Sequence, residues 1–366
     1  MEPSLEAAID VVEAAYNLEL SAGDWLPNVL SAGESLFDHG LGYYGIIGAG
    51  VTEEGIPIFT QALGSRGAED LPMKVMCAAQ EFDPDIVHRA SADVQGRVYL
   101  LSDVCDRWPN VCESINRHLE SKDLLSLTAT DPDGCGVNIS MPLPERGALE
   151  RCEREFWQML EVHLAAGHRL RRGLGQQGKV AGAPITEATL DAEALIDPSR
   201  FLVSHANGEA ADRGASEKLR EAARLVDKAR GPLRKQDPKE ALRLWEGLVR
   251  GKWSLVDWFD TDGRRFLVAK PNAPRIRDPR GLTEREAQVA TYASLGETSK
   301  IIGYRLGLSP AYVSRLLHDA MRKLSVKTQA QLVEKMRTVD LKAPPAAKSR
   351  AGEGDWNFPL SRTKSL

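Results

Sequence analysis

Long apolar runs are missing from this chain of 366 residues: no stretch approaches the roughly 18 apolar residues of a membrane span. A protein that does not cross a membrane is expected. The opening MEPSLEAAIDVVEAAY carries acids and no basic lead-in to an apolar segment, which argues against a secretory signal and for the cytoplasm. Cysteine is scarce, with five residues, an odd number, none of them in a CxxC pair. Reduced thiols fit this usage better than a disulfide framework, and for Cys105 and Cys112 incidental burial outranks a redox or metal role. Catalytic signatures are also lacking. No Walker loop, GxGxxG or GxSxG signature is read, and His163 and His168 stand at i, i+5 rather than in HExxH. Neither an enzyme nor a cofactor is expected. Asp131/Asp133 and Asp260/Asp262 pair carboxylates inside turns, without the further ligands of a calcium loop.

What is present is unevenly charged. The net charge of −5 would disfavour nucleic acid if the chain were one body. Residues 275–338, however, hold twelve Lys/Arg against six Asp/Glu, an excess of +6 that leaves the remainder at −11. A basic C-terminal module on an acidic body is the asymmetry expected when one domain meets phosphates.

The order of patterns gives a multidomain chain, α+β first and all-α at the end. Within 1–173, helical patterns at about 4–20 and 24–38 precede strand-like runs at 41–51 and 55–63. A helical stretch near 70–90, a strand at 97–104 and a helix near 109–120 follow. Asp133-Gly134 then turns a hairpin, and a helix over 146–172 ends in RLRR, basic residues suited to a helix C-terminus. This layout resembles a GAF-type sensor domain. After a linker (174–185), residues 186–273 carry a strand at 201–207, helices at 215–231 and after Pro238, and a terminal hairpin turned by Asp262-Gly263. Trp253, Trp258 and Phe266 supply its packing, and the segment is similar to a degraded PAS domain. The tail 341–366, rich in Ala and Pro, lacks periodicity and reads as disordered. No internal repeat is evident.

Residues 278–337 are the most legible. Thr283 and Glu286 form a capping box, and the helix they open stops at Gly296. Thr298 caps a second helix, Gly307-Leu308-Ser309 makes a short turn, and Ser309-Pro310 starts a third helix as N-cap and first residue. In that third helix Val313, Leu317, Ala320 and Leu324 form one apolar stripe. Ser314, Arg315 and His318 are expected on the opposite side, with Arg322 and Lys323 beyond. A capped helix with a cationic face after a tight turn suits the major groove.

The string LTEREAQVATYASLGETSKIIGYRLGLSPAYVSRLLHDAMRKLSVKTQAQLV resembles the tetrahelical DNA-binding domain of LuxR-type regulators, without a gap. The resemblance implies a DNA-binding transcription regulator with base contacts at Ser314, Arg315 and His318 and phosphate contacts at Thr298, Lys300, Tyr312 and Lys323. It also implies duplex DNA, a second copy of the chain and RNA polymerase as partners, with the helix at 328–337 pairing two subunits. Three positions depart from the family pattern: Ser314 replaces a usual Lys, Ile301 a usual Glu, and Leu316 a commonly polar residue.

The input is less legible. The acids of a phosphorylation receiver do not occur in their order, and Trp25, Tyr43, Tyr44 and Trp108 do not form the set of the acyl-homoserine-lactone sensors. A small-molecule pocket lined by Trp25, Phe37, Tyr43, Tyr44 and Tyr99 is the expectation. The alternatives are a sigma-type polymerase subunit, which would need a DNA-melting helix, and an enzyme fused to the helix-turn-helix.

Overall fold

The computed structural model describes residues 4–51, 57–83, 86–87, 89–90, 98–131, 134–176, 192–212, 214–245, 248–249, 253–259, 265–272 and 282–340. The turn residues Asp133, Asp260, Asp262 and Gly263, most of the expected linker and the tail from 341 lie outside them.

The body opens with α1 (Leu5–Ala15), α2 (Ala22–Ala32) and α3 (Glu34–Phe37). Ser4 caps α1, its hydroxyl accepting from the Ala7 amide. Strands β1 (Tyr44–Val51), β2 (Pro57–Gly64), β3 (Val98–Leu100), β4 (Asp123–Thr130) and β5 (Cys135–Leu143) form an antiparallel sheet in the order β2-β1-β5-β4-β3. The expected strand at 97–104 is short, because Leu101–Asp103 turn into a 3₁₀ helix.

Alternation along the strands sorts the two faces. Leu125, Leu127, Ala129, Val137, Ile139 and Met141 join the core formed with α1, α2 and α6 (Arg151–Gln176). Tyr44, Ile46 and Leu124 turn the other way, onto Leu71 of α4 (Leu71–Gln80) and Cys112 and Leu119 of α5 (Pro109–Leu119). Gly167 is where α6 passes closest to α1: a Cβ there would stand 2.4 Å from the Ala15 carbonyl oxygen.

A second antiparallel sheet follows, from β6 (Ala194–Asp197), β7 (Leu202–Ala206), β8 (Leu248–Val249), β9 (Trp253–Phe259) and β10 (Arg265–Pro271), in the order β7-β6-β10-β9-β8. Counted from its own first strand, this order equals that of the first sheet, a repeat of topology that the sequence does not show. One face packs on Leu219 and Ala223 of α7 (Ala215–Arg230). The other, through Val256 and Val268, joins the core of the first sheet together with Trp245, which follows α8 (Leu233–Gln236) and α9 (Pro238–Leu244). Tyr16 stacks on Trp245 at 5.9 Å, and Arg234 bonds to Asp10 and Glu13 of α1. One continuous core thus runs through both sheets.

The C-terminal part is all helix: α10 (Glu284–Ser294), α11 (Ser299–Leu306), α12 (Pro310–Lys323) and α13 (Gln329–Asp340). It has a separate core of Val289, Tyr292, Ile302, Leu306, Val313, Leu316, Ala320, Leu324, Leu332 and Met336. No helix among the described residues is long and apolar enough to cross a membrane.

Candidate DNA-binding interface

Each helix of the C-terminal part begins where its sequence provides a cap. The Thr283 amide donates to Glu286 Oε2 at 2.8 Å and the Glu286 amide to Thr283 Oγ1 at 3.3 Å, closing the capping box. Thr298 Oγ1 accepts from the Ile301 amide at 3.3 Å, a cap without the returning carboxylate, since Ile301 has none to offer. Gly307 ends α11 at φ +60°, the left-handed conformation that favours glycine, and the Leu308 amide donates to the Gly303 carbonyl at 2.8 Å. Ser309 caps α12 through the Tyr312 amide.

α12 buries Val313, Leu316, Ala320 and Leu324, while Leu317 is half-buried at the rim. The stripe therefore runs one step away from its expected course at its second member. Leu316 departs from the polar pattern because it is a core residue. The outward side carries Ser314, Arg315 and His318, all exposed, with Arg322 and Lys323 further along. The Arg315 guanidinium lies 4.7 Å from the centre of the Tyr312 ring, which steadies a long side chain without occupying its donors. Ser314 Oγ donates to the Pro310 carbonyl at 3.0 Å and lies 3.5 Å from Ser299 Oγ, so the first turns of α11 and α12 adjoin.

The four expected phosphate contacts stand differently. Tyr312 is exposed, and Thr298 has its hydroxyl engaged as a cap. Lys323 Nζ bonds to Glu286 Oε2 at 2.6 Å, closing the capping box from across the domain. Against the opposing effect of partial burial, this lysine and the Thr283 bonds hold the Glu286 carboxyl below its usual range. Lys300 Nζ bonds to Glu155 Oε2 of α6 at 2.8 Å.

That last bond belongs to a wider junction between α6 and α11. Arg305 makes two hydrogen bonds to Glu161 (2.5 and 3.2 Å) and two to Glu297 (2.6 and 3.1 Å). The side chains of Arg305, Glu161 and Glu297 are 2%, 1% and 4% exposed, so water screens none of these charges. Burial pushes the Glu161 carboxyl up to about 7, opposed by Arg305 and aided by Glu297. The guanidinium also sits 4.6 Å over the ring of Tyr292, whose hydroxyl is buried with no hydrogen-bond partner among the described residues. Beside the triad, His163 lies between the hydroxyls of Tyr16 (3.2 Å) and Tyr304 (2.5 Å), and its burial lowers its pKa to about 3. Val162 and Ile301 close the apolar part.

The other singled-out residues are structural neighbours. Trp25, Phe37 and Tyr43 are buried together in the first core, with Trp25 Nε1 donating to the Ala15 carbonyl and the Tyr43 hydroxyl to that of Leu30. Tyr44 faces the opposite side of the sheet, where Ser126 and Ser140 exchange a hydrogen bond at 2.8 Å, and the half-buried Tyr99 stands in register with Ser126. The five aromatics expected around one pocket are thus not brought to one place. Asp131 is more than a turn acid: it is buried and takes two hydrogen bonds from Arg169, which also reaches Asn272. Arg171 bonds to the Leu20 carbonyl, so two of the basic residues ending RLRR hold the body together instead of serving the helix end. Cys105 and Cys112 both donate to the Leu101 carbonyl. The spacing GxGxxG, not expected from the reading of the sequence, does occur at Gly173, Gly175 and Gly178 before Lys179; Gly173 and Gly175 lie inside α6 rather than in a strand-to-helix turn, and Gly178 and Lys179 lie outside the described residues.

Sequence reasoning missed the junction. Its one visible trace was Ile301, an apolar residue where the family pattern has a carboxylate.

A family model described as bacterial regulatory proteins, luxR family, matches residues 280–336. No match to a curated protein was found. The matched span takes in α10, α11 and α12 and most of α13, with its capping box, its tight turn and its exposed cationic helix face. Residues 280–336 are therefore a helix-turn-helix domain of the luxR family, the DNA-binding part of a transcription regulator.

Proposed function

We propose that this regulator reads a specific duplex sequence with α12, and that the α+β body controls the reading in response to a small molecule or a partner. The observation that carries the first half is the outward face of α12, where Arg315 and His318 stand exposed beside Ser314 on a helix seated by its own buried stripe. Arg315 donates to guanine and His318 and Ser314 contact neighbouring base edges. Thr298, Lys300, Tyr312 and Lys323 face the backbone, with Lys300 and Lys323 exchanging their carboxylate partners for phosphates. What supports a sensory role for the body is the resemblance of its sequence layout to GAF-type and PAS-type segments, together with two sheets of one strand order.

A homodimer on an inverted repeat completes the reading. α13 turns Leu332 and Met336 into its own core, so a second subunit would meet Ala330, Gln331 and Glu334 on its exposed side. Selection of bound fragments from a random duplex pool by the full chain tests this. A motif of two half-sites about one helical turn apart is expected. Recovery of unselective sequence alone would overturn specific reading, and a motif without two-fold symmetry would overturn the dimer.

A further inference from the structure

Two helices meet at the junction with opposite charge. α6 brings the carboxylates of Glu155 and Glu161, and α11 brings Lys300 in its first turn and Arg305 in its last. Between them lie Val162, Ile301 and the His163–Tyr304 hydrogen bond. The body thus holds the helix-turn-helix by its second helix and leaves the outward face of the third uncovered.

The two ends of α11 differ in what else they face. Arg305 is buried and already has Glu297 of its own domain. Lys300 is exposed, and its neighbour Ser299 adjoins Ser314, a member of the outward face of α12. The first turn of α11 therefore borders the surface that meets DNA, and the Glu155 carboxylate borders it too. The Lys300 bond keeps Glu155 below the usual carboxylate range, so it carries its negative charge throughout neutral pH. A DNA phosphate approaching Lys300 meets a competitor for the same ammonium group and a like charge beside it.

We infer that the acidic edge of α6 stands in for DNA phosphate on α11, so that the docked arrangement is a low-affinity form and duplex and body compete for the first turn of α11. This rests on the proposed DNA-binding reading and adds to it a place where the body acts. Undocking is feasible because much of the junction is ionic: Arg305 keeps Glu297 when it leaves Glu161, and Glu155, Glu161 and Lys300 regain water. The apolar part, Val162 against Ile301, is small. A signal that loosens α6 from α11 would free Lys300 while leaving α12 seated on its own core.

The test uses the full chain and a labelled duplex of random sequence at low salt, read by fluorescence anisotropy. Glu155→Gln removes the competing charge at a partly exposed site, and it should tighten binding about two- to five-fold, the range set by an exposed ion pair. Glu153→Gln, on the same turn but bonded to the Glu150 amide, removes an equal charge away from α11 and should leave affinity close to the parent's. Lys300→Gln should weaken binding, and Glu155→Gln added to it should produce no further tightening, since the competition has lost its object. Equal effects of Glu155→Gln and Glu153→Gln would overturn the inference, as would tightening that persists undiminished in the Lys300→Gln background. Failure of the parent and of every variant to bind duplex would instead overturn the DNA-binding reading on which it rests.

Discussion

Arg305→Met is the substitution that bears most directly on the junction. Methionine keeps an unbranched stem of similar reach, so the apolar contacts survive while the guanidinium is lost. Glu161 and Glu297 then face each other with no cation between them, both almost fully buried. Removing one partner from a buried ionic group costs about 3–5 kcal/mol, because the remaining charge has neither water nor a counter-ion. The shift per kcal/mol falls below the roughly 2–4 °C of a 150–250-residue protein in this longer chain, so melting should fall by about 4–10 °C. The loss should also depend on pH. Burial already raises Glu161 to about 7, and Arg305 is the influence that opposes it, so deletion of the arginine raises both carboxyls further. A carboxyl raised on folding contributes stability that is complete below its unfolded pKa of about 4.5 and is lost as pH rises through the folded value. The deficit should therefore be small near pH 5 and distinctly larger at pH 8, and the native protein should drift in the same direction to a lesser extent. Scanning calorimetry at both pH values measures it. A deficit under about 1 kcal/mol, or one equal at both pH values, would refute the assignment of an unscreened charge cluster. Replacing all three groups by apolar residues (Glu161→Leu, Glu297→Leu, Arg305→Met) should recover most of the loss.

Ile301→Glu should separate the body from the helix-turn-helix without unfolding the latter, since Ile301 packs on Val162 outside the C-terminal core; limited proteolysis should release an intact helical fragment, and an uncleaved, normally melting chain would contradict this. Leu316→Asp should unfold the C-terminal domain at a cost of several kcal/mol, on the order of 3 or more, whereas Leu317→Asp at the rim should cost distinctly less; equal melting of the two by circular dichroism would show the helix facing to be wrong. Arg315→Ala should relax preference at one position per half-site, worth about 1–3 kcal/mol, while a uniform loss over all sequences in competition binding would reduce Arg315 to a phosphate contact.

The helix-turn-helix was readable because its constraints are local. Capping residues lie three positions from the amides they serve, and the turn glycine at 307 sits where φ must be positive, so a short window contains the whole argument. The first sheet was readable for a similar reason: alternation and the hairpin between β4 and β5 are short-range. The shortened β3 escaped because Leu101 is buried in the 3₁₀ turn as it would be in a strand. Pairings across long separations carried no sequence signal at all. Asp131 and Arg169 lie 38 positions apart, and Tyr16 reaches His163 across 147. Each side, taken alone, has an ordinary local explanation: a turn acid, a helix-end arginine, a core tyrosine.

The departures from the family pattern are where that blindness could be turned to use. A position at which a domain abandons its usual residue has either lost a constraint or gained another, and the replacement residue shows which. Ser314 gives up a charge and satisfies its hydroxyl on its own helix, so it signals a loss. Ile301 gives up half of a capping box for a β-branched apolar side chain in the first turn of a helix, where local propensity offers nothing in return. An apolar residue accepted there at the expense of a cap needs burial to compensate, and the C-terminal core does not take it in. A partner surface must do so, and Val162 on α6 is that surface. Arg305, one turn further on the same side, extends the contact to Glu161. Ile301 therefore marks both a limit of the family resemblance and, with Arg305, the place where the helix-turn-helix meets the body.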